Sequence, residues 1–200
     1  MKRLLNAFAA IAALTACQPA AAPAKDGAPA GCILGQLDQF GGPLGLLDEA
    51  GQPITEAVFK GKPTLIYFGF TFCPDICPMS MQTAAAAFAA LPAGAPAPQA
   101  VLISLDPGRD TPEMMKSYVA SAGFPPGLRG LTGAQEQVAA AAKAFRVSWR
   151  RNEQPESAAG YLIDHSSFFY LMDADWKTRA VIASTQKPDE IAACIAKALK

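Results

Sequence analysis

Apolar and polar positions follow two regimes along this chain. Before about residue 36 the only apolar run is one near the N-terminus, and no helical or alternating period follows it. Beyond that point short apolar runs are punctuated by turn residues, the pattern of a folded α/β domain. Residues 36–40 and 44–48 predict a short hairpin around Gly41-Gly42-Pro43. Thr64-Leu65-Ile66-Tyr67-Phe68-Gly69-Phe70 is continuously apolar, as expected of a strand covered on both faces. A helix is predicted over residues 77–91, stopped by Pro92 and Gly94, and a second buried strand over residues 100–105. Thr111-Pro112 opens another helix, with threonine as N-cap and proline at the first helical position. A helix over 135–145 and a strand over 145–150 come next. Residues 168–172 and 179–183 form an antiparallel pair across a turn at 173–177, and a last amphipathic helix covers 188–199.

Strand, helix, strand, then two strands and a helix is the order of a thioredoxin-like α/β domain. Here it carries an N-terminal β-hairpin extension and inserted helices. The chain of 200 residues is long enough for one such domain and a short appendage. The expected organisation is a signal segment over 1–16, a tether over 17–35 and the folded domain over 36–200.

The N-terminal run changes the picture of where the domain works. Lys2 and Arg3 precede an apolar stretch over residues 4–14 that is too short to span a bilayer as a stable helix. It ends in Leu14-Thr15-Ala16-Cys17, which resembles the lipobox of bacterial lipoproteins. That resemblance implies cleavage before Cys17 and lipidation of its thiol, with multiple acyl chains making the anchor stable. The alternative is an ordinary secretory signal with a chance cysteine. Residues 18–31 are mostly Ala, Pro and Gly and read as a tether of about 45–50 Å when fully extended.

Charge adds an exclusion. Seventeen basic residues balance seventeen acidic ones; without Lys2 and Arg3 the count is 15 against 17, a net −2. No basic patch or arginine-rich helix appears, so no nucleic-acid partner is expected.

The chemistry concentrates in Cys73-Pro74-Asp75-Ile76-Cys77-Pro78, where the apolar strand gives way to a helix. Cysteines four residues apart on a first helical turn share a face, and the partial positive charge there favours thiolates. Free thiols are unusual in an oxidising compartment, so this pair calls for a use. Three intervening residues, against two in thioredoxin-type reductants, leave room for a metal between the sulfurs. Soft thiolates select copper(I) or zinc. Two sulfurs want a third ligand, and the chain has one histidine, His165, in Asp164-His165-Ser166. It is expected in the loop that faces the active-site cysteines in thioredoxin-like proteins, where no proline lies between Tyr161 and Asp173.

Taken together these blocks resemble the Sco/SenC family of copper proteins. The similarity covers residues 40–182. It includes Gly61-Lys62-Pro63, Tyr67-Phe68-Gly69-Phe70-Thr71, the cysteine block, Asp106-Pro107-Gly108-Arg109-Asp110-Thr111-Pro112, Leu131-Thr132-Gly133 and Asp164-His165-Ser166. The resemblance implies Cys73, Cys77 and His165 as ligands to one copper, as Cu(I), Cu(II) or both. It implies a metallochaperone that delivers copper to, or prepares, the CuA centre of cytochrome c oxidase. Its partners would be the oxidase copper subunit, an upstream periplasmic copper donor, and the membrane through a lipid anchor facing the periplasm. The family's glycine after the penultimate strand is replaced by Ala174-Asp175-Trp176, which concerns a turn and not the ligands.

Other residues have two readings each. Asp75 is either an outer-shell carboxylate at the metal or an acid that suits a helix start. The segment Asp106–Asp110 either lines the site or forms a turn with helix caps. Met79 and Met81 are soft donors, or core fillers. Cys32 and Cys194 either form a structural disulfide or stand as free thiols. The same Cys73–Cys77 pair would serve a thiol–disulfide oxidoreductase, which has no need of His165. A peroxiredoxin-type peroxidase fits poorly, because it wants one activated cysteine with a nearby Thr and Arg.

Overall fold

The computed structural model describes residues 28–35, 37–157 and 159–200. The signal segment, Cys17 and most of the tether lie outside the described residues. In chain order the strands are β1 (Cys32–Leu34), β2 (Leu46–Leu47), β3 (Pro53–Ile54), β4 (Thr64–Gly69), β5 (Gln99–Ser104), β6 (Arg129–Leu131), β7 (Trp149–Gln154), β8 (Gly160–His165), β9 (Phe168–Met172) and β10 (Thr178–Ala183). The helices are α1 (Ile76–Ala89), α2 (Pro112–Val119), α3 (Gln135–Ala144) and α4 (Pro188–Ala198).

Every residue of β4 is buried, which is why its sequence is apolar without alternation. It lies inside a six-stranded sheet of order β1-β10-β9-β4-β5-β6. Strands β4, β5 and β6 run parallel, and β9, β10 and β1 add antiparallel neighbours. Side chains leave β4 to alternate faces. Phe68 meets Phe145 and Tyr170 at ring-centroid distances of 5.3 and 5.9 Å, while the Tyr67 hydroxyl accepts from Ser80 of α1. Helices α1 and α4 pack together on the Tyr67 side. The parallel β4–α1–β5 unit followed by β9, β10 and α4 gives the chain its thioredoxin-like fold. No helix among the described residues is long and apolar enough to cross a membrane.

Three sequence expectations are corrected. The N-terminal hairpin exists, but it joins β2 to β3 and not 36–40 to 44–48. Asp48 builds its turn by accepting the backbone N–H groups of Ala50 and Gln52, and Gly51 takes the positive φ such a turn needs. The stretch around Gly41 is spent elsewhere: Gly41 N–H donates to Ala144 and the Phe40 carbonyl accepts from Thr178. The strand expected over 145–150 starts later, because Phe145 caps α3 and the Val147 N–H returns to the Ala142 carbonyl. The tether also ends earlier than residue 35, since β1 pairs with β10 as the sheet edge.

Beside that edge Cys32 and Cys194 are joined in a disulfide, with Cα atoms 6.0 Å apart. It ties β1 to α4 across 162 residues of sequence. Replacing both cysteines with serine is expected to lower unfolding free energy by about 5 kcal/mol in the chain-entropy model. Urea unfolding of the double variant against the oxidised wild type measures it; an unchanged midpoint would deny the bridge its stabilising role.

Candidate metal centre

The turn between β4 and α1 carries the cysteines. Phe70 to Asp75 is irregular, and the Cys73 N–H closes a tight turn on the Phe70 carbonyl at 3.3 Å. Cys73 therefore stands before the helix, not on its first turn as the spacing predicts, while Cys77 is the second helical residue. The sulfurs still converge. Cys77 N–H donates to Cys73 Sγ at 3.4 Å, so the sulfur satisfies a first-turn donor that a capping side chain would otherwise take. Asp75 is the N-cap by position, yet its carboxylate makes no capping bond and faces solvent.

Burial separates the two thiols. Cys77 is fully buried, packed over the strand at Gly69, where a Cβ would stand 2.9 Å from the Cys77 sulfur. Cys73 is half-buried and reachable. The Cys77 thiol donates to Cys73, and this hydrogen bond does most to push the Cys73 thiol down to about 4, against its partial burial. His165 and the backbone N–H groups of Cys77 and Asp75 add to the effect. Cys77 moves the other way, raised by that same hydrogen bond and by burial. A depressed pKa means that Cys73 is thiolate throughout the neutral range and loses that state only as pH falls through about 4. Its alkylation by iodoacetamide should then be flat with pH above about 5, where an ordinary thiol gains rate up to about 8.5. A rate that climbs steadily to pH 8 would refute this.

His165 ends β8 and is not in a loop. Its Nε2 stands 3.5 Å from Cys77 Sγ, and Nδ1 is 3.1 Å from the Ser166 carbonyl. A carbonyl only accepts, so Nδ1 carries a proton and Nε2 is the ring nitrogen that faces the sulfurs. Tyr67 and Phe70 meet the imidazole edge-on at 5.9 and 6.0 Å and hold its plane. A shallow cavity of about 450 Å³, bounded in part by Trp149, Arg150 and Asp164, opens beside it.

The structure thus brings Cys73, Cys77 and His165 together and leaves other candidates out. Met81 is core, and Met79 is exposed. Asp110 does not cap α2; Thr111 does, accepting from the Met114 N–H. Asp110 is buried beneath the cysteine turn and accepts from the Thr71 N–H, the Thr71 hydroxyl and the Ser104 hydroxyl. Burial pushes its carboxyl up. Gly69 and Asp110 shape the site without touching its chemistry; the sequence pointed to Asp110 only within the Asp106–Asp110 segment that could line the site, and assigned Gly69 no separate role. Among the described residues no three Cys, His, Asp or Glu side chains are arranged to hold a metal ion as they stand. The trio is closed by its own hydrogen bonds.

A cysteine turn leading into a helix, faced by a strand-end imidazole on a thioredoxin-like sheet, defines a thiol–imidazole site of the kind that holds soft metals. The model of the SCO1/SenC family matches residues 34–200, and the chain belongs to that family. It is 39% identical over 160 residues to Protein sco1 of Schizosaccharomyces pombe, covering 78% of this chain and 60% of that one. The chain spans about half the length of the first curated relatives it matches. Among solved structures it resembles copper-bound ScoI of Arabidopsis thaliana, at 36% identity and TM-score 0.74, covering 80% of this chain and 97% of that one. It also resembles copper-bound ScoI of Bradyrhizobium japonicum, at 37% identity and TM-score 0.68, covering 80% and 99%.

Proposed function

We propose that this chain is a copper carrier of the bacterial envelope that delivers copper to, or prepares, the CuA centre of cytochrome c oxidase. Cys73, Cys77 and His165 hold one copper as cargo. The observation that carries this reading is His165 Nε2 facing Cys77 Sγ from 3.5 Å. Sulfur and nitrogen donors bound at about 2.3 and 2.0 Å to one ion in tetrahedral array lie about 3.5 Å apart. The Cys77–His165 pair already has that spacing, and Cys73 completes the set once the hydrogen bonds that close the trio give way to metal bonds. Two soft sulfurs and an imidazole suit copper in either oxidation state, and two similar structures hold copper. Titrating the purified protein anaerobically should give one copper per chain; a stoichiometry of zero would end this reading.

The carrier is anchored through lipid on Cys17, facing the periplasm. Cys32, Ile182, Phe169 and Tyr67 are successive partners in one row across the sheet. The chain therefore leaves the domain at the end of the sheet that bears the site. A tether of limited reach attached there keeps the copper near the membrane in which an oxidase resides. Labelling with a fatty acid should mark the wild type and miss Cys17→Ser; equal labelling of the variant would remove the anchor.

One observation favours a second reading. A half-exposed Cys73 thiolate backed by a buried Cys77 thiol is a nucleophile with its resolving partner. Cys73 would attack the disulfide of a recipient copper site. Cys77 would then displace the recipient thiol, leaving the recipient reduced and Cys73–Cys77 oxidised. An exported dithiol reductant would reset the pair.

A further inference from the structure

The hairpin that carries His165 is not part of the main sheet, since β7 and β8 pair only with each other. Side chains therefore decide where this strand lies relative to the cysteine turn. Tyr161, Ile163 and His165 alternate onto the inner face of β8, spanning about 13 Å at ~3.3 Å per residue. Ile163 is buried in the core. The chain just past His165 is tied down where the Ser167 carbonyl accepts from Ser184 N–H. The Tyr161 end has a different fastening.

That fastening is Arg109. Its guanidinium lies 3.7 Å from the Tyr161 ring centroid, and its Nη1 donates to the carbonyls of Ala159 and Tyr161 at 3.0 and 3.2 Å. Its Nε binds the Asp106 carboxylate, which also accepts from the Tyr161 hydroxyl at 2.6 Å. The same guanidinium stands 4.8 Å from the ring of Phe72, the neighbour of Cys73, and 6.0 Å from Phe70, whose edge holds His165. Arg151 stacks on Tyr161 from the other side at 3.6 Å. The turn closes through backbone bonds from Arg109 and Asp110 to Asp106, Thr111 caps α2, and the Asp110 carboxylate is held by Thr71 and Ser104; none of these uses the Arg109 side chain.

We propose that Arg109 is a positioning residue that braces the His165 strand against the cysteine turn, through Tyr161 on one side and Phe72 on the other. It touches no metal and acts by fixing where the imidazole stands. A planar guanidinium is needed, because it stacks on two rings while donating to two carbonyls and a carboxylate; an ammonium group cannot do both. Arg109→Lys is accordingly not a conservative change here.

The proposal rests on the copper reading, and its test separates the two. Amide hydrogen exchange on the full chain compares wild type with Arg109→Lys and Arg109→Gln. Both variants should exchange about tenfold faster over residues 160–165, the low end of what loosening a ligand's support costs, with β4 and β5 unchanged. Copper(II) should dissociate about tenfold faster, while copper(I) retention and the midpoint potential of Cys73–Cys77 change much less, since the two sulfurs carry most of both. Should Arg109→Gln fail to fold, Tyr161→Leu removes the stacked ring and carries the same comparison. Unchanged protection of the hairpin, or faster exchange spread evenly over the whole sheet, would overturn the brace. So would copper(II) retention equal to wild type in a loosened hairpin. If wild type binds no copper(II), the carrier reading falls and the exchange comparison still decides the brace.

Discussion

Cys77→Ser is expected to abolish retention of copper by the folded protein, lowering affinity by at least about 100-fold. Outer-shell changes alone cost 10–100-fold in metal affinity, and this substitution removes a ligand. Serine is nearly isosteric and Cys77 is fully buried against Gly69, so the domain should stay folded with a loss of about 1–2 kcal/mol. A hydroxyl is a hard donor that stays protonated at neutral pH, and it cannot replace a thiolate for copper. The sulfur-to-copper(II) charge-transfer band should vanish with it. Cys73→Ser should behave alike, with one difference: it replaces the sulfur that accepts from the Cys77 N–H at the start of α1 by a hydroxyl oxygen, which can take the same bond. An intact charge-transfer band in either folded variant would take that cysteine out of the ligand set.

How far the sequence discloses such a site depends on what each residue must satisfy. β4 and β5 were legible because burial on both faces forces continuous apolar runs, and α2 because Thr111-Pro112 is a start signal that little else explains. The cysteine spacing and lone histidine brought the three chemical groups to notice before any geometry. The hairpin β7–β8 was not legible. Trp149-Arg150-Arg151-Asn152-Glu153-Gln154 has almost no apolar alternation, because most of the ribbon is solvated and its stability comes from the backbone ladder and cross-strand partners such as Asn152 and Asp164. His165 was consequently assigned to a loop when it ends a strand. Asp110 misled for the opposite reason: an acid beside a helix start reads as a cap. Its actual donors, Thr71 and Ser104, are distant or non-helical, and pairing with Thr71 across 39 residues leaves no local signal.

The replacement Ala174-Asp175-Trp176 for a turn glycine is resolved by what tryptophan gains. Trp176 takes a φ of 67°, a left-handed conformation that disfavours a large side chain. In return its ring stacks on Phe59 at 5.8 Å and its Nε1–H donates to the Gly42 carbonyl at 2.9 Å. The ring thereby adds one more tie to the N-terminal segment, beside those that Gly41 and Phe40 make. None of this reaches the sulfurs.

His165→Ala should divide the two activities that share the cysteines. Dithiol chemistry needs a thiolate, a resolving partner and access. The largest cause of the Cys73 thiolate is the Cys77 hydrogen bond, with His165 a smaller one. The variant should therefore still cycle between Cys73–Cys77 disulfide and dithiol. Copper(II) is different: with two thiolates alone it oxidises them, two copper(II) ions taking the two electrons that one disulfide releases, and a nitrogen donor stabilises the divalent ion. Losing Nε2 should cut copper(II) retention by at least about 100-fold, as expected of a ligand when outer-shell changes already cost 10–100-fold. Copper(I), content with two sulfurs, should be held more nearly as in wild type. The decisive setting is a cell that depends on this protein for a copper oxidase, grown at limiting copper. There the carrier reading expects His165→Ala to fail as Cys73→Ser fails, with partial rescue by added copper through mass action. Normal oxidase activity in His165→Ala beside a failing Cys73→Ser would leave the thiol reductase as the function of this site.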